Sequence, residues 1–351
     1  MNRSPTADAP DRVIRVLVVE DSATTSRLLE TFLNSDPQIA VVGVARNGRD
    51  ATELVQKLRP DLVTMDINLP VMDGFEATKW IMAFQPTPIL ILSTRVYQGG
   101  RDNVFQAIAY GALDVVEKVP FVPGGDGAKE LIEKVKRLSR VRVIRHPLAK
   151  LEQQRLELQI DAPPAGRRLV AIGASTGGPV AIFDVLRRLP AHFPASVAVV
   201  LHIAKGFTEG FVEWVRADCA LRVQLARHGE SLESGVVYVA PDDRHLRVVK
   251  PGLIHLSDDP PVQGHRPSVT ALFESAADSY GSAAIGVLLT GMGRDGARGM
   301  QAIKERGGRT IAQDEQSSII FGMPRAAIEL GAVDRVLPLP DVAETLIRWM
   351  A

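Results

Sequence analysis

The chain has 351 residues, 46% hydrophobic and 23% charged. That is an ordinary globular balance, with length enough for two domains of roughly 100–200 residues each. Lys plus Arg and Asp plus Glu both number 41, so no global field favours nucleic acid or an anionic membrane. The single Cys219 excludes an internal disulfide, no apolar run approaches the ~20 residues a bilayer span needs, and a cytoplasmic protein without membrane insertion is expected.

Residues 1–12, "MNRSPTADAPDR", lack an apolar signal core and are expected to form a loose tail. Over residues 13–138, apolar runs end at "VIRVLVVE", "IAVVGVA", "DLVTMDI", "TPILILS" and "ALDVVEK", with amphipathic segments such as "SATTSRLLETFLNS" and "NGRDATELVQKLR" between them. This alternation predicts a doubly wound, five-stranded parallel α/β domain of flavodoxin-like type, with its site at the carboxyl ends of the strands. Glu20 and Asp21 close the first run and Asp66 the third, so three carboxylates converge on one crevice. Such a cluster favours a hard divalent cation such as Mg²⁺. Ser93 and Lys118 end the fourth and fifth runs, where they would bind the oxygens of an anion attached to the central carboxylate.

"VLVVEDS", "DLVTMDINLPVMDGFEA", "ILILS" and "GALDVVEK" resemble the receiver domain of bacterial response regulators. The resemblance implies phosphorylation of Asp66 by a sensor histidine kinase, Mg²⁺ held by Glu20, Asp21 and Asp66, and phosphoryl contacts from Ser93 and Lys118. Two departures stand out: Val115 replaces the aromatic switch residue of many receivers, and "EKVP" replaces the usual Lys-Pro pair.

Residues 139–168 are basic, then Gln/Glu-rich, then broken by Pro163, Pro164 and Gly166, and read as a linker with helical potential at "LAKLEQQRLEL". The second domain, 169–351, offers the strands "RLVAIGA", "SVAVVLHI", "VVYVA", "HLRVVK", "LIHLS", "AAIGVLLT" and "GRTIAQ". It reads as a second doubly wound α/β domain containing one antiparallel hairpin at "HLRVVKPGLIHL".

At "VAIGASTGGPVAIF" a strand gives way to a helix through a glycine-rich turn, which either cradles a phosphate or raises a nucleophile. A dinucleotide site needs G-x-G-x-x-G and an acid at the end of the next strand. Here Ser175 stands where the second glycine belongs, and the next strand ends in His202. Gly173-Ala-Ser175-Thr176-Gly177 instead matches G-x-S-x-G, with helix-opening amides facing a developing oxyanion. Of seven histidines, His202 is best placed as base, and His265 in "QGHRPSV" is its main competitor. Asp295, in the glycine-rich loop of "TGMGRDGARGM", is the candidate orienting acid, though taken alone it reads equally as the cap of the helix that follows. The order serine, histidine, aspartate differs from that of α/β-hydrolases.

"IGASTGGP", "HIAKGFTEGF", "YVAPDDRHL", "GHRPSVTALFESAA", "TGMGRDGARGM" and "GMPRAAIE" resemble the catalytic domain of chemotaxis protein-glutamate methylesterases. The resemblance implies Ser175 as nucleophile, His202 as base and Asp295 as orienting acid, with Thr176 and Met292 at oxyanion-stabilising positions and no cofactor for the ester chemistry. It further implies hydrolysis of glutamyl γ-methyl esters on chemoreceptor helices with release of methanol, deamidation of receptor glutamines, and inhibition by the receiver until Asp66 is phosphorylated. "HIAKGF" departs from the Pro-rich version of that segment found in many members.

Overall fold

The computed structural model describes residues 12–93, 103–118, 126–141, 143, 168–249 and 252–350. Residues 1–11 of the tail and the helix read at "LAKLEQQRLEL" lie outside them. The chain forms two compact units, and no helix among the described residues is long and apolar enough to cross a membrane.

The first unit is built on β1 (Ile14–Val19), β2 (Ile39–Ala45), β3 (Leu62–Asp66), β4 (Ile89–Ser93) and β5 (Asp114–Glu117), in the order β2-β1-β3-β4-β5 with every pairing parallel. Val16, Leu17, Val18, Leu62, Val63, Ile89, Leu90 and Ile91 are fully buried. Such unbroken apolar runs are what a parallel sheet covered on both faces requires. Between the strands lie α1 (Ala23–Leu33), α2 (Gly48–Leu58), α3 (Gly74–Phe84) and α4 (Asn103–Ala109), and α5 (Asp126–Leu138) follows β5. The first three helices start where a short polar side chain accepts a backbone N–H that has no partner within the helix: Ser22 from Thr25, Asn47 from Asp50 and Asp73 from Glu76.

The second unit runs β6 (Arg168–Ala174), α6 (Gly178–Leu186), β7 (Ala195–Leu201), α7 (Thr208–Asp218), β8 (Arg222–Leu225), β9 (Val236–Val239), β10 (His245–Val249), β11 (Leu253–Ser257), α8 (Val269–Tyr280), β12 (Ala284–Leu288), α9 (Ala297–Glu305), β13 (Arg309–Gln313), α10 (Met323–Glu329), β14 (Arg335–Leu337) and α11 (Leu339–Met350). Seven strands make one parallel sheet in the order β14-β13-β12-β6-β7-β9-β8. The predicted hairpin forms as a separate two-stranded sheet, β10 against β11, with His245 opposite Ser257 and Val249 opposite Leu253. Two strands of the large sheet, β8 and β14, are absent from the sequence reading. Both are short edge strands with exposed residues, so neither shows the apolar run that marks a central strand.

The order places β6 in the middle. Leu288 of β12 pairs with Gly173 on one flank, and Leu201 of β7 pairs with Ala174 on the other. The connection after β6 runs to β7 and that after β12 runs to β13 on the opposite flank, and at such a reversal the carboxyl ends open a crevice. α8 also packs closely here: a Cβ on Gly173 would lie 2.1 Å from Val269 Cγ1, so only glycine lets this helix approach β6.

Candidate active site and acid pocket

Ser175 immediately follows β6. Its amide donates to the Thr290 carbonyl at 3.0 Å, and its carbonyl accepts from Gly178 N–H at 2.6 Å. The turn into α6 is made by Gly177 at φ 76°, and a Cβ there would also meet Ile319 Cγ1 at 2.6 Å. The left-handed residue of this turn is therefore the glycine, and Ser175 does not share its positive φ.

His202 immediately follows β7, and its amide donates to the Ala174 carbonyl at 2.9 Å, next to the serine. Its Nε2 lies 3.0 Å from Asp295 Oδ2. Asp295 sits in the loop before α9 and is 1% exposed. Besides His202 it accepts four hydrogen bonds: from Ser268 Oγ at 2.8 Å, Val269 N at 2.8 Å, Thr270 N at 2.9 Å and Gly296 N at 2.9 Å. The amino termini of α8 and α9 thus meet on one carboxylate, where unpaired amides and helix dipoles both favour negative charge. Burial alone would raise the Asp295 pKa, but His202 and the donors of Thr270 overcome it and hold the carboxyl well below the usual carboxylate range.

The protonation pattern of His202 follows. An ionised carboxylate only accepts, so His202 Nε2 carries the proton toward Asp295, and a neutral ring then has its lone pair on Nδ1. Nδ1 is buried without a hydrogen-bond partner among the described residues. Ser175 Oγ makes no hydrogen bond to it in this structure. The structure therefore joins His202 to Asp295 directly and brings Ser175 beside them through the backbone at Ala174.

Thr176 accepts Thr290 Oγ1 on its carbonyl at 3.0 Å. Met292 is 43% exposed and follows Gly291, whose added Cβ would lie 2.8 Å from Ser175 Cβ. Both residues border the serine. Sequence reasoning missed the residues that hold this frame. Gln313, fully buried at the end of β13, accepts Thr290 N–H at 2.8 Å and donates to the Ser317 carbonyl at 2.7 Å. It also missed Ser268, although a serine directly before "VTALFESAAD" is the usual mark of a helix start. Ser268 caps α8 by accepting from Ala271 N and donates to Asp295 as well.

A pocket of about 300 Å³ opens beside His202, lined by Lys205, Asp242, Asp243, His265 and Arg266 among others. His265 is stacked on His202, with ring centroids 4.0 Å apart and planes within 8°.

In the first unit the acid pocket forms at the strand ends. Lys118, directly after β5, sets its Nζ 2.6 Å from Glu20 Oε2 and 2.5 Å from Asp66 Oδ2. One oxygen each from Glu20, Asp21 and Asp66 lies within 4.8 Å of the others. Ser93 is buried at the end of β4, and its carbonyl accepts Lys118 N–H at 2.8 Å. Burial lifts the Glu20 carboxyl above its usual range. Lys118 offsets this in part, and the like charge of Asp66 adds to it. Three hard oxygen donors this close fit a small divalent cation better than they fit one another. Val115 is fully buried in β5, opposite Ile91.

The comparisons agree with this architecture. The family model described as CheB methylesterase matches residues 170–346, and that of the response regulator receiver domain matches residues 16–123. A protein-glutamate methylesterase/protein-glutamine glutaminase of Anaeromyxobacter dehalogenans is 47% identical over 340 residues, covering 96% of this chain and 97% of the relative. One from Myxococcus xanthus is 44% identical, covering 95% and 96%. The solved CheB methylesterase catalytic domain of Thermotoga maritima is 38% identical with a TM-score of 0.51, over 53% of this chain and all of that one.

Proposed function

The chain belongs to the CheB methylesterase family, and from that premise we propose how its residues perform and regulate the hydrolysis. The enzyme is a protein-glutamate methylesterase and protein-glutamine glutaminase governed by phosphorylation of its receiver unit. The observation that carries the residue roles is the His202–Asp295 bond of 3.0 Å at the strand end next to Ser175.

In the forward step Ser175 Oγ attacks the γ-carbonyl of a methylated glutamate on a receptor helix while His202 Nδ1 takes the hydroxyl proton. Asp295 holds Nε2–H throughout and stabilises the imidazolium. The amides near Thr176 and Met292 receive the oxyanion, a donor of this kind contributing roughly 2.7–4 kcal/mol. Collapse breaks the C–OCH₃ bond, and the imidazolium gives its proton to the departing methoxide, releasing methanol. Water then gives a proton to His202 and attacks the acyl carbon, the C–Oγ bond breaks, and Ser175 recovers the proton. With glutamine in place of the ester, ammonia leaves by the same route.

In the receiver unit Asp66 accepts the phosphoryl group: an Asp66 oxygen bonds to phosphorus as the phosphorus–nitrogen bond of the kinase phosphohistidine breaks. Ser93 and Lys118 contact the transferred oxygens. A Mg²⁺ bound by Glu20, Asp21 and Asp66 would neutralise the charge that gathers there. Phosphorylation then relieves inhibition of the esterase unit. The test of the esterase roles is Ser175→Ala in the full chain: methanol release from methylated receptor membranes falls by more than about a thousandfold, labelling by a fluorophosphonate is lost, and the melting temperature is unchanged. Full methanol release by that variant refutes the assignment.

A further inference from the structure

Two imidazoles stand at the end of β7. His265, the rival base in the sequence, lies flat on His202 at 4.0 Å with 8° between the planes. It is carried by the turn Val262–His265, closed from both sides: His265 N–H donates to the Val262 carbonyl at 3.0 Å, and Val262 N–H to the His265 carbonyl at 3.1 Å. Gln263 and Gly264 both have positive φ, 52° and 83°, the pattern of a type I′ turn. A glutamine rarely adopts such a conformation unless its surroundings enforce it. Here they do. Arg266 donates to Asp243 at 2.9 Å and to the carbonyls of Asp258 and Asp259. Ser268 N–H donates to Nδ1 of the fully buried His245, whose Nε2–H goes to the Pro260 carbonyl. The loop is thus pinned on both sides of His265, yet among the described residues the His265 ring has no hydrogen-bond partner. What the loop holds in place is a ring face.

His202 needs such a face. Asp295 fixes one edge of its ring, and Nδ1 is unpartnered, so a single hydrogen bond leaves the ring free to tilt about the Nε2–Oδ2 axis. We propose that His265 is a positioning residue for the hydrolysis, an aromatic plate laid on His202 that keeps the base aligned with Asp295 and favours its imidazolium. The proposal rests on the Ser175–His202–Asp295 reading. Its electrostatic side requires the plate to be neutral. Burial, and then the neighbouring His202, hold the His265 pKa below the usual histidine range. The charged groups facing the pair are Asp295 at Nε2 and, around the pocket, Lys205, Asp242, Asp243 and Arg266; Lys205 and Arg266 are both paired with Asp243.

The experiment measures methanol release from methylated chemoreceptor membranes by full-length wild type, His265→Ala, His265→Phe and His265→Arg, with thermal melting of each. Loss of a stacked aromatic in His265→Ala lowers kcat about three- to tenfold at unchanged KM. His265→Phe, which restores the plate, recovers kcat to within about twofold of wild type. In His265→Arg a planar, permanent cation lies on the same face and disfavours the imidazolium, moving the acid limb of kcat/KM about one pH unit lower. The plate's own effect is read from His265→Ala, whose acid limb moves lower where a purely structural role would leave it in place. Wild-type kcat in His265→Ala, or an unmoved acid limb in His265→Arg, overturns the proposal. If His265→Ala melts early, a loss in His265→Phe as large as in His265→Ala overturns it instead. No methanol from wild type, together with no labelling of Ser175, is the separate failure of the esterase reading, and the proposal falls with it.

Discussion

Replacing Asp295 by Asn separates the two tasks of that carboxylate. In the native site one oxygen, Oδ1, accepts from Ser268, Thr270 and Gly296, and the other, Oδ2, from Val269 and His202. An amide can keep the first set by placing its carbonyl there. Its NH₂ group then faces Val269 N–H and His202 Nε2–H, two donors with nothing to accept them. The ring escapes by moving its proton to Nδ1, which removes the lone pair that the proposed activation of Ser175 requires. A wrong-tautomer base in serine proteases lowers kcat by about 10⁴-fold, and the same loss is expected here. Val269 N–H, buried at the start of α8, has no such escape and costs about 1–3 kcal/mol. Loss of negative charge between two helix amino termini adds about 0.3–2 kcal/mol. Asp295→Asn is therefore expected to release methanol about 10⁴-fold more slowly and also to melt earlier, measured by single-turnover assay and by calorimetry. A variant that keeps more than a tenth of wild-type kcat, or melts at the wild-type temperature, refutes the reasoning about which atom carries which bond.

The same carboxylate predicts a pH dependence of stability. Its folded pKa lies below the unfolded value, so its contribution is complete above the ordinary aspartate pKa and is lost as pH falls through the folded one. The melting temperature of wild type should drop steeply below about pH 4, and the corresponding drop in Asp295→Asn should be shallower; parallel curves would contradict this. In the receiver unit, wild type incubated with a small acyl-phosphate donor should be phosphorylated with Mg²⁺ and not with a chelator, as read on a phosphate-affinity gel. Asp66→Asn should remain unmodified in both, and a phosphorylated Asp66→Asn would displace the phosphoacceptor assignment.

The sequence shows most of this fold because its central strands are covered on both faces. A run such as "RVLVV" or "LVAI" has no water-facing residue to interrupt it, and the chemistry-bearing residues lie one step beyond, where each run stops. β8 and β14 escape the same reasoning because edge strands keep polar and exposed residues. At the candidate site, local pattern shows where Ser175 and His202 leave their strands, since each directly ends an apolar run. It does not show what surrounds Asp295, because the donors from Ser268 to Thr270 are about 25 positions away and arrive only when α8 packs on Gly173. Strand-end position ranks His202 above His265 as the base but does not show that the two rings meet. Both reach the same place, one edge-on to the carboxylate and the other stacked on the first ring. That outcome depends on the Val262–His265 turn, whose Gln263 gives no cue to a left-handed backbone.

The serine's strand has β12 on one side and β7 on the other, and the imidazole and its carboxylate come from these opposite neighbours. Their bond is a clasp thrown across the middle of the sheet. Any shear or change of twist between the flanking strands pulls directly on it, long before the buried rows of side chains part company. The proposed catalytic centre thereby serves as the strain gauge of its own scaffold, and turnover should fade while the bulk of the sheet is still intact.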